Sequence, residues 1–250
     1  MDMFNLQGKT ALVTGGTQGL GKGMATGLAK AGADIIIAAR RPKPDTVAEI
    51  EALGVKCCYI SVDLSDTEHI AEFVEAVWKL APVVDILVNC AGINIRHPSI
   101  QFPKEDWDKI LRVNLDAPFL LCQAFAKPML ERKYGKIINV SSLLAFQGGL
   151  TVPAYAASKG AIAQMTKALA NEWAKDGVNV NGLIPGYFET EMNTALIADQ
   201  TRSRQILERI PQGRWGRTED VEGVAVFMAS RASDYMNGAM VAIDGGWLGR

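Results

Sequence analysis

The segment "YAASK" at 155–159 places a tyrosine and a lysine four residues apart, and "VSS" at 140–142 puts a serine thirteen residues before that tyrosine. On a helix, Tyr155 and Lys159 share one face. A free phenol ionises near pH ~10 and carries protons poorly at neutral pH. An ammonium one helical turn away, together with the positive charge of an oxidised cofactor, favours the phenolate and is expected to draw the tyrosine toward neutrality. Tyr155 then takes a proton from an alcohol as general base, or gives one to a carbonyl as general acid. Ser142 holds the same oxygen by hydrogen bond while charge develops on it. Ser141 is the weaker candidate, because strand alternation turns neighbouring side chains to opposite faces. A tyrosine and lysine at this spacing also occur on ordinary surface helices, so their weight depends on the rest of the chain.

Near the start stands "TGGTQGLG" (14–21), between a β-branched run and a helical pattern. Gly15, Gly19 and Gly21 let the chain turn tightly and bring backbone N–H groups against a pyrophosphate at a helix N-terminus. The next β-branched run ends "IIIAARRP". A dinucleotide site that prefers a free ribose carries an acid about 20 residues past the glycines. Ala39 stands there instead, followed by Arg40 and Arg41, and Asp34 lies at the wrong end of the run. A missing carboxylate and two added guanidinium groups favour a 2′-phosphate, so the reading is NADP(H), with NAD as the alternative.

Stepping along the chain gives the elements that must position these groups. Near-continuous apolar runs at 10–15, 34–39, 55–62, 85–89, 136–141, 178–184 and 239–244 read as strands buried on both faces. Helical patterns lie between them near 19–31, 45–53, 67–80, 104–132, 153–176 and 218–230. Alternating strand and helix predicts an α/β fold, a doubly wound parallel sheet with helices on both faces. No repeat, linker or composition shift divides residues 1–250, so one domain is expected. The least regular stretch, 186–217, follows a strand and is expected to lie over the ligand crevice as a substrate lid.

The glycine spacing G-x-x-x-G-x-G, with "NCAG" (89–92), "VSS", "YAASK" and "PGYFET" (185–190) in this order, resembles the short-chain dehydrogenase/reductase family from about residue 6 to 250. The resemblance implies a Rossmann-like fold, a nicotinamide cofactor and catalysis by Asn114, Ser142, Tyr155 and Lys159. Asn114 would carry a water-linked proton relay to the lysine. Cofactor contacts would come from Gly15, Thr17, Gln18, Gly19, Leu20, Gly21, Arg40, Arg41, Asp63, Leu64, Asn89, Ala91, Gly92, Tyr155, Lys159, Pro185, Gly186 and Thr190, with Asp63 reaching the adenine. Cys90 replaces the family's second asparagine, and its small side chain should leave the turn intact. Gln18 stands where many NADP-preferring members carry a basic residue. "AFQGGLTVPAYAASK", "PGYFETEMN", "RIPQGRWG" and "DGGWLGR" resemble the branch that acts on sugar acids. Substrate contacts are then expected from Arg96, Ser142, Gln147, Tyr155 and Tyr187, with Asn193, Arg202 and Arg214 as further polar candidates. An arginine–carboxylate pair is the natural anchor for the acid. A 3-oxoacyl-thioester or general carbonyl reductase of the same fold is the alternative. The family also implies a homotetramer, and an apolar Trp247 and Leu248 near the end should be exposed unless covered by a partner.

Bulk properties narrow the classes. The net charge of −1 supplies no basic surface for nucleic acid or anionic membranes. Cys57, Cys58, Cys90 and Cys122 form no C-x-x-C, which fits a reducing compartment and a cytoplasmic protein. His69 and His97 share no ligand spacing, so no metal site is expected. No apolar run approaches the ~20 residues of a membrane span, and no signal peptide is read at the start.

Overall fold

The computed structural model describes residues 2–250. The β-branched runs form β1 (Thr10–Thr14), β2 (Asp34–Ala39), β3 (Cys57–Ser61), β4 (Ile86–Asn89), β5 (Gly135–Val140), β6 (Val178–Pro185) and β7 (Met240–Ile243). They make one sheet in the order β3-β2-β1-β4-β5-β6-β7, and every pairing is parallel. The chain order reverses between β1 and β4. In open parallel sheets a ligand crevice forms there, beyond the carboxyl ends of the strands.

Helices α1 (Gly19–Lys30), α2 (Pro44–Glu51), α3 (Ile70–Leu80), α4 (Lys104–Leu111), α5 (Ala117–Arg132), α6 (Pro153–Trp173), α7 (Thr194–Ala198), α8 (Gln200–Arg209) and α9 (Glu222–Ala229) complete the fold. One apolar layer joins α1 and α9 to a sheet face through Met24, Leu28, Ile35, Ile37, Ala225 and Met228. The other joins α3, α5 and α6 through Phe73, Val77, Leu121, Phe125 and Leu169. Both faces are thus covered, which is why the strands read as continuous apolar runs rather than alternating ones.

Three features depart from the sequence reading. The rod expected over 104–132 is interrupted by a π-helical turn at Arg112–Asp116, centred on Asn114. The stretch 186–217 is more regular than expected, since it contains α7 and α8. A parallel bridge between Phe188 and Gly216 closes its base. Ile206, Ile210 and Trp215 from this stretch pack with Leu143, Ile184 and Trp247 as a third apolar cluster. Trp247 is therefore only 5% exposed within its own chain, and Leu248 packs against the same cluster. The expectation that these two residues stand exposed is overturned, because the 186–217 excursion covers them.

Candidate active site

One cleft of about 640 Å³ runs along the carboxyl ends of the strands. Its floor is the β1–α1 turn. Thr14, the last residue of β1, accepts hydrogen bonds at Oγ1 from the backbone N–H groups of Cys90 (3.0 Å) and Ala91 (3.1 Å). This side chain locks the two turns either side of the switch point together. The 89–92 turn is held through its backbone, so cysteine at position 90 leaves it intact. Gly19 opens α1 at φ +53°, a conformation open to glycine and costly for other residues. A Cβ on Gly21 would fall 2.3 Å from the carbonyl oxygen of Gly15, so only glycine lets α1 start this close to β1.

The catalytic candidates converge at the other end. α6 begins with Pro153 in its first turn, where a missing N–H does no harm. Its alanine-rich run continues the helix through Tyr155 and Lys159. Tyr155 lines the cleft with Ser142 and Arg96. Ser142 caps a short 3₁₀ turn, accepting from Leu144 N at 3.2 Å. Ser141 points the other way and donates to the carbonyl of Lys159 at 2.8 Å, buried behind the wall. Lys159 is also buried, and its Nζ donates to the carbonyl of Val140 at 2.7 Å. That nitrogen stands 5.7 Å from the Tyr155 ring centre and would lie 3.5 Å from a Cβ on Gly92, just behind the cleft wall.

The electrostatics of the protein alone run against the phenolate. Burial pushes the Tyr155 phenol above its ordinary value, and the Ser142 hydrogen bond only partly offsets this. Burial also pulls Lys159 down to about 8. In the protein alone, desolvation of the phenol outweighs the neighbours that favour the phenolate. Arg96 opposes the rise, favouring the phenolate through its charge.

Asn114 is 1% exposed and does not line the cleft. Its carboxamide oxygen accepts from Ile93 N at 2.9 Å. Its amide nitrogen donates to Ile93 O at 2.9 Å and to Ser158 Oγ at 3.1 Å. The π turn thus clamps the segment after β4 to the α6 face that carries Tyr155. Asn89 also turns away from the cleft. It donates to Asn139 Oδ1 (2.9 Å), and Asn139 in turn donates to Thr166 Oγ1 on α6 (3.0 Å). A buried asparagine ladder therefore ties β4 and β5 to α6.

Of the remaining candidates, Gly15, Thr17, Gln18, Gly19, Leu20, Gly21, Arg40, Arg41, Asp63, Leu64, Ala91, Gly92, Pro185, Gly186, Tyr187, Thr190 and Asn193 all line the cleft. Asp63 is held low by hydrogen bonds from Ser65, with Arg40 adding to the effect. Gln147 lies outside the lining, where its carboxamide oxygen accepts from Trp247 Nε1 at 2.9 Å. Arg214 makes a bidentate pair with Asp220 (2.6 and 2.9 Å), and Arg202 bonds Gln205. None of these three side chains lines the cleft, and Gln147 and Arg214 instead bond Trp247 and Trp215 of the third apolar cluster. Sequence reasoning missed Lys43, Asn94, Lys109, Glu191 and Met192, which also line the cleft. Lys43 carried a signal, as a further cation in "ARRPKP". The others carried none, since loop tracks decide them.

A sequence profile of the short chain dehydrogenase family matches residues 9–201. The chain is 49% identical to 2-dehydro-3-deoxy-D-gluconate 5-dehydrogenase of Pseudoalteromonas atlantica over the full length of both. It is 48% identical to the enzyme of that name from Bacillus subtilis, covering 100% of this chain and 98% of the relative. A crystal structure of gluconate 5-dehydrogenase from Burkholderia cenocepacia, in complex with NADP and tartrate, superposes with a TM-score of 0.94. That protein is 39% identical, and the match covers 100% of this chain and 98% of the other. With the glycine turn, the parallel sheet and the serine–tyrosine–lysine end in place, the chain belongs to the short chain dehydrogenase family.

Proposed function

We propose that this chain is an NADP(H)-dependent oxidoreductase of sugar acids, of the gluconate or deoxy-keto-gluconate type. It interconverts a secondary alcohol and a ketone. One observation carries the reading: a single cleft joins two arginines at one end, a glycine-lined helix start in the middle, and Ser142, Tyr155 and Arg96 at the other. The cleft suits a dinucleotide phosphate. Arg40 and Arg41 would hold the 2′-phosphate, and the Gly15–Gly21 turn would offer N–H groups to the diphosphate. Asp63 would take the adenine end. Pro185, Gly186 and Thr190 edge the nicotinamide end. When bound, the oxidised cofactor supplies a hydride acceptor and a positive charge.

The residues of the chain do the rest. Ser142 holds the substrate oxygen against Tyr155. Tyr155 accepts the hydroxyl proton during oxidation and returns it during reduction. Lys159 supports the phenolate and reaches toward the cofactor ribose. Asn114 fixes the spacing between the 93 segment and α6, and a water-linked relay to Lys159 would run past it. Arg96 pairs with the substrate carboxylate, and Tyr187 packs against the sugar chain. Residues 190–196 act as the moving edge of the lid, while Phe188, bridged to Gly216, and Ile206, Ile210 and Trp215 anchor the rest.

The protein works as a cytoplasmic homotetramer in this reading. The free cysteines suit a reducing compartment. Support for self-association comes from the family resemblance and from Phe119, 43% exposed on α5. Sedimentation at micromolar concentration tests it, and a monomer would contradict it. Initial rates on a panel of sugar acids and keto acids, with NADP and NAD in parallel, test the activity. Turnover of gluconate-type acids with NADP is the expected result. Turnover confined to 3-oxoacyl thioesters or simple ketones would overturn the substrate class.

A further inference from the structure

The cleft lining holds cations from Arg40, Arg41, Lys43, Arg96 and Lys109 but carboxylates only from Asp63 and Glu191. Asp63 is engaged by its own turn, accepting from Ser65 N and Oγ. Glu191 is different. It comes from the segment after β6 and crosses the cleft. Its Oε1 lies 3.7 Å from Lys43 Nζ. Its Oε2 would lie 3.4 Å from a Cβ on Gly19, at the start of α1. One carboxylate thus faces two positive features of a nucleotide site, a lysine beside the arginine pair and the N-terminal end of a helix. Both side chains of the pair are about half exposed, at 46% and 55%, so the contact is reversible at little cost.

We propose that Lys43 is a third determinant of 2′-phosphate preference, and that Glu191 is its displaceable counter-ion. In the free enzyme, Glu191 neutralises Lys43 and rests against the glycine turn. A dinucleotide carrying a 2′-phosphate competes for Lys43 and releases Glu191, and with it the 190–196 edge of the lid. The preference for NADP over NAD then depends on Lys43 as well as on Arg40. The lid edge is set partly by the adenosine half of the cofactor.

The inference rests on the NADP reading above. It is tested by binding rather than turnover, with NADP⁺ and NAD⁺ titrated by tryptophan fluorescence or calorimetry. Lys43→Gln should weaken NADP⁺ about tenfold and NAD⁺ by less than about twofold. Glu191→Gln should tighten NADP⁺ about two- to fivefold, with little change for NAD⁺. In the double variant, the gain from Glu191→Gln should vanish. A Lys43→Gln variant with unchanged NADP⁺ affinity would overturn the proposal. So would a Glu191→Gln variant that tightens both cofactors equally, which would assign the carboxylate to the shared diphosphate. A gain that persists without Lys43 would overturn it too. In each of these cases the cofactor reading survives, provided that the wild-type chain binds NADP⁺. A wild-type chain with no measurable NADP⁺ affinity overturns both.

Discussion

The two ends of the cleft are built in opposite ways. At the catalytic end, Lys159, Asn114, Asn139 and Ser141 are each at most 4% exposed, and every one is hydrogen-bonded across elements. At the end proposed for the adenosine, Arg40, Arg41 and Lys43 are exposed, and the Lys43–Glu191 pair is long at 3.7 Å. A buried network is cooperative, and removing a partner leaves desolvated groups unsatisfied. Exposed charges act nearly independently and are screened by salt. Chemistry should therefore be lost abruptly by substitution at one end, and cofactor preference should move in graded steps at the other.

The largest expected effect belongs to Tyr155→Phe, which removes a hydroxyl and keeps the ring. Turnover should fall by about 10²–10⁴, with folding and cofactor affinity retained. Steady-state kinetics alongside cofactor titration checks both halves. Lys159→Met at the same end should weaken cofactor binding as well as turnover. Ser142→Ala should slow turnover with less effect on cofactor affinity.

At the adenosine end, Ala39→Asp combined with Arg40→Ser should shift preference from NADP toward NAD. A charge-assisted contact of this kind is worth roughly 1.5–3 kcal/mol, or about ten- to a hundredfold. The wild-type preference should itself shrink as salt rises, which titration at two ionic strengths would show. Equal use of NAD and NADP by the wild type would end the argument from the arginines.

A separate effect concerns stability. Lys159 is pulled in the folded state from 10.5 to about 8 by burial. Below pH ~8 the lysine is charged in both states, and its desolvation opposes folding in full. As pH rises from about 8 toward 10.5, the unfolded chain holds the extra proton, so stability attributable to this group increases. Lys159→Met removes the dependence. The unfolding free energy of wild type minus that of the variant should be flat below pH 8 and rise above it. Taking the difference also cancels the buried thiols of Cys57 and Cys122, which act with the opposite sign, whereas Cys90, raised to about 11 beside Lys159, does not cancel, so the comparison is read below pH ~10.

This contrast also explains what the sequence made legible. Strand positions were readable because both sheet faces are covered, so apolar runs such as "DIIIAA" have no polar interruption. Tyr155 and Lys159 were readable because helical spacing alone puts them on one face. The inward turn of Asn89 was not, because it depends on the register that sets Asn139 opposite it in the next strand. Gln147 and Trp247 lie a hundred residues apart, and their bond depends on how the excursion after β6 folds back. The direction of the Tyr155 shift in the protein alone is hidden from the sequence for a related reason. Spacing gives the distance between two charges but not their burial, and here burial outweighs the pair.

The central claim is that Tyr155, held above its ordinary range by the protein alone, becomes the working acid and base once oxidised cofactor adds its charge. The most direct measurement is the pH dependence of kcat/KM for sugar-acid oxidation at saturating NADP⁺. The wild-type rate should rise tenfold per pH unit and then level off through one ionisation below the ordinary phenol range of about 10. In Tyr155→Phe that ionisation should be absent from the residual rate. A wild-type profile without such an ionisation, or a Tyr155→Phe variant that keeps both the ionisation and most of its activity, would contradict the account.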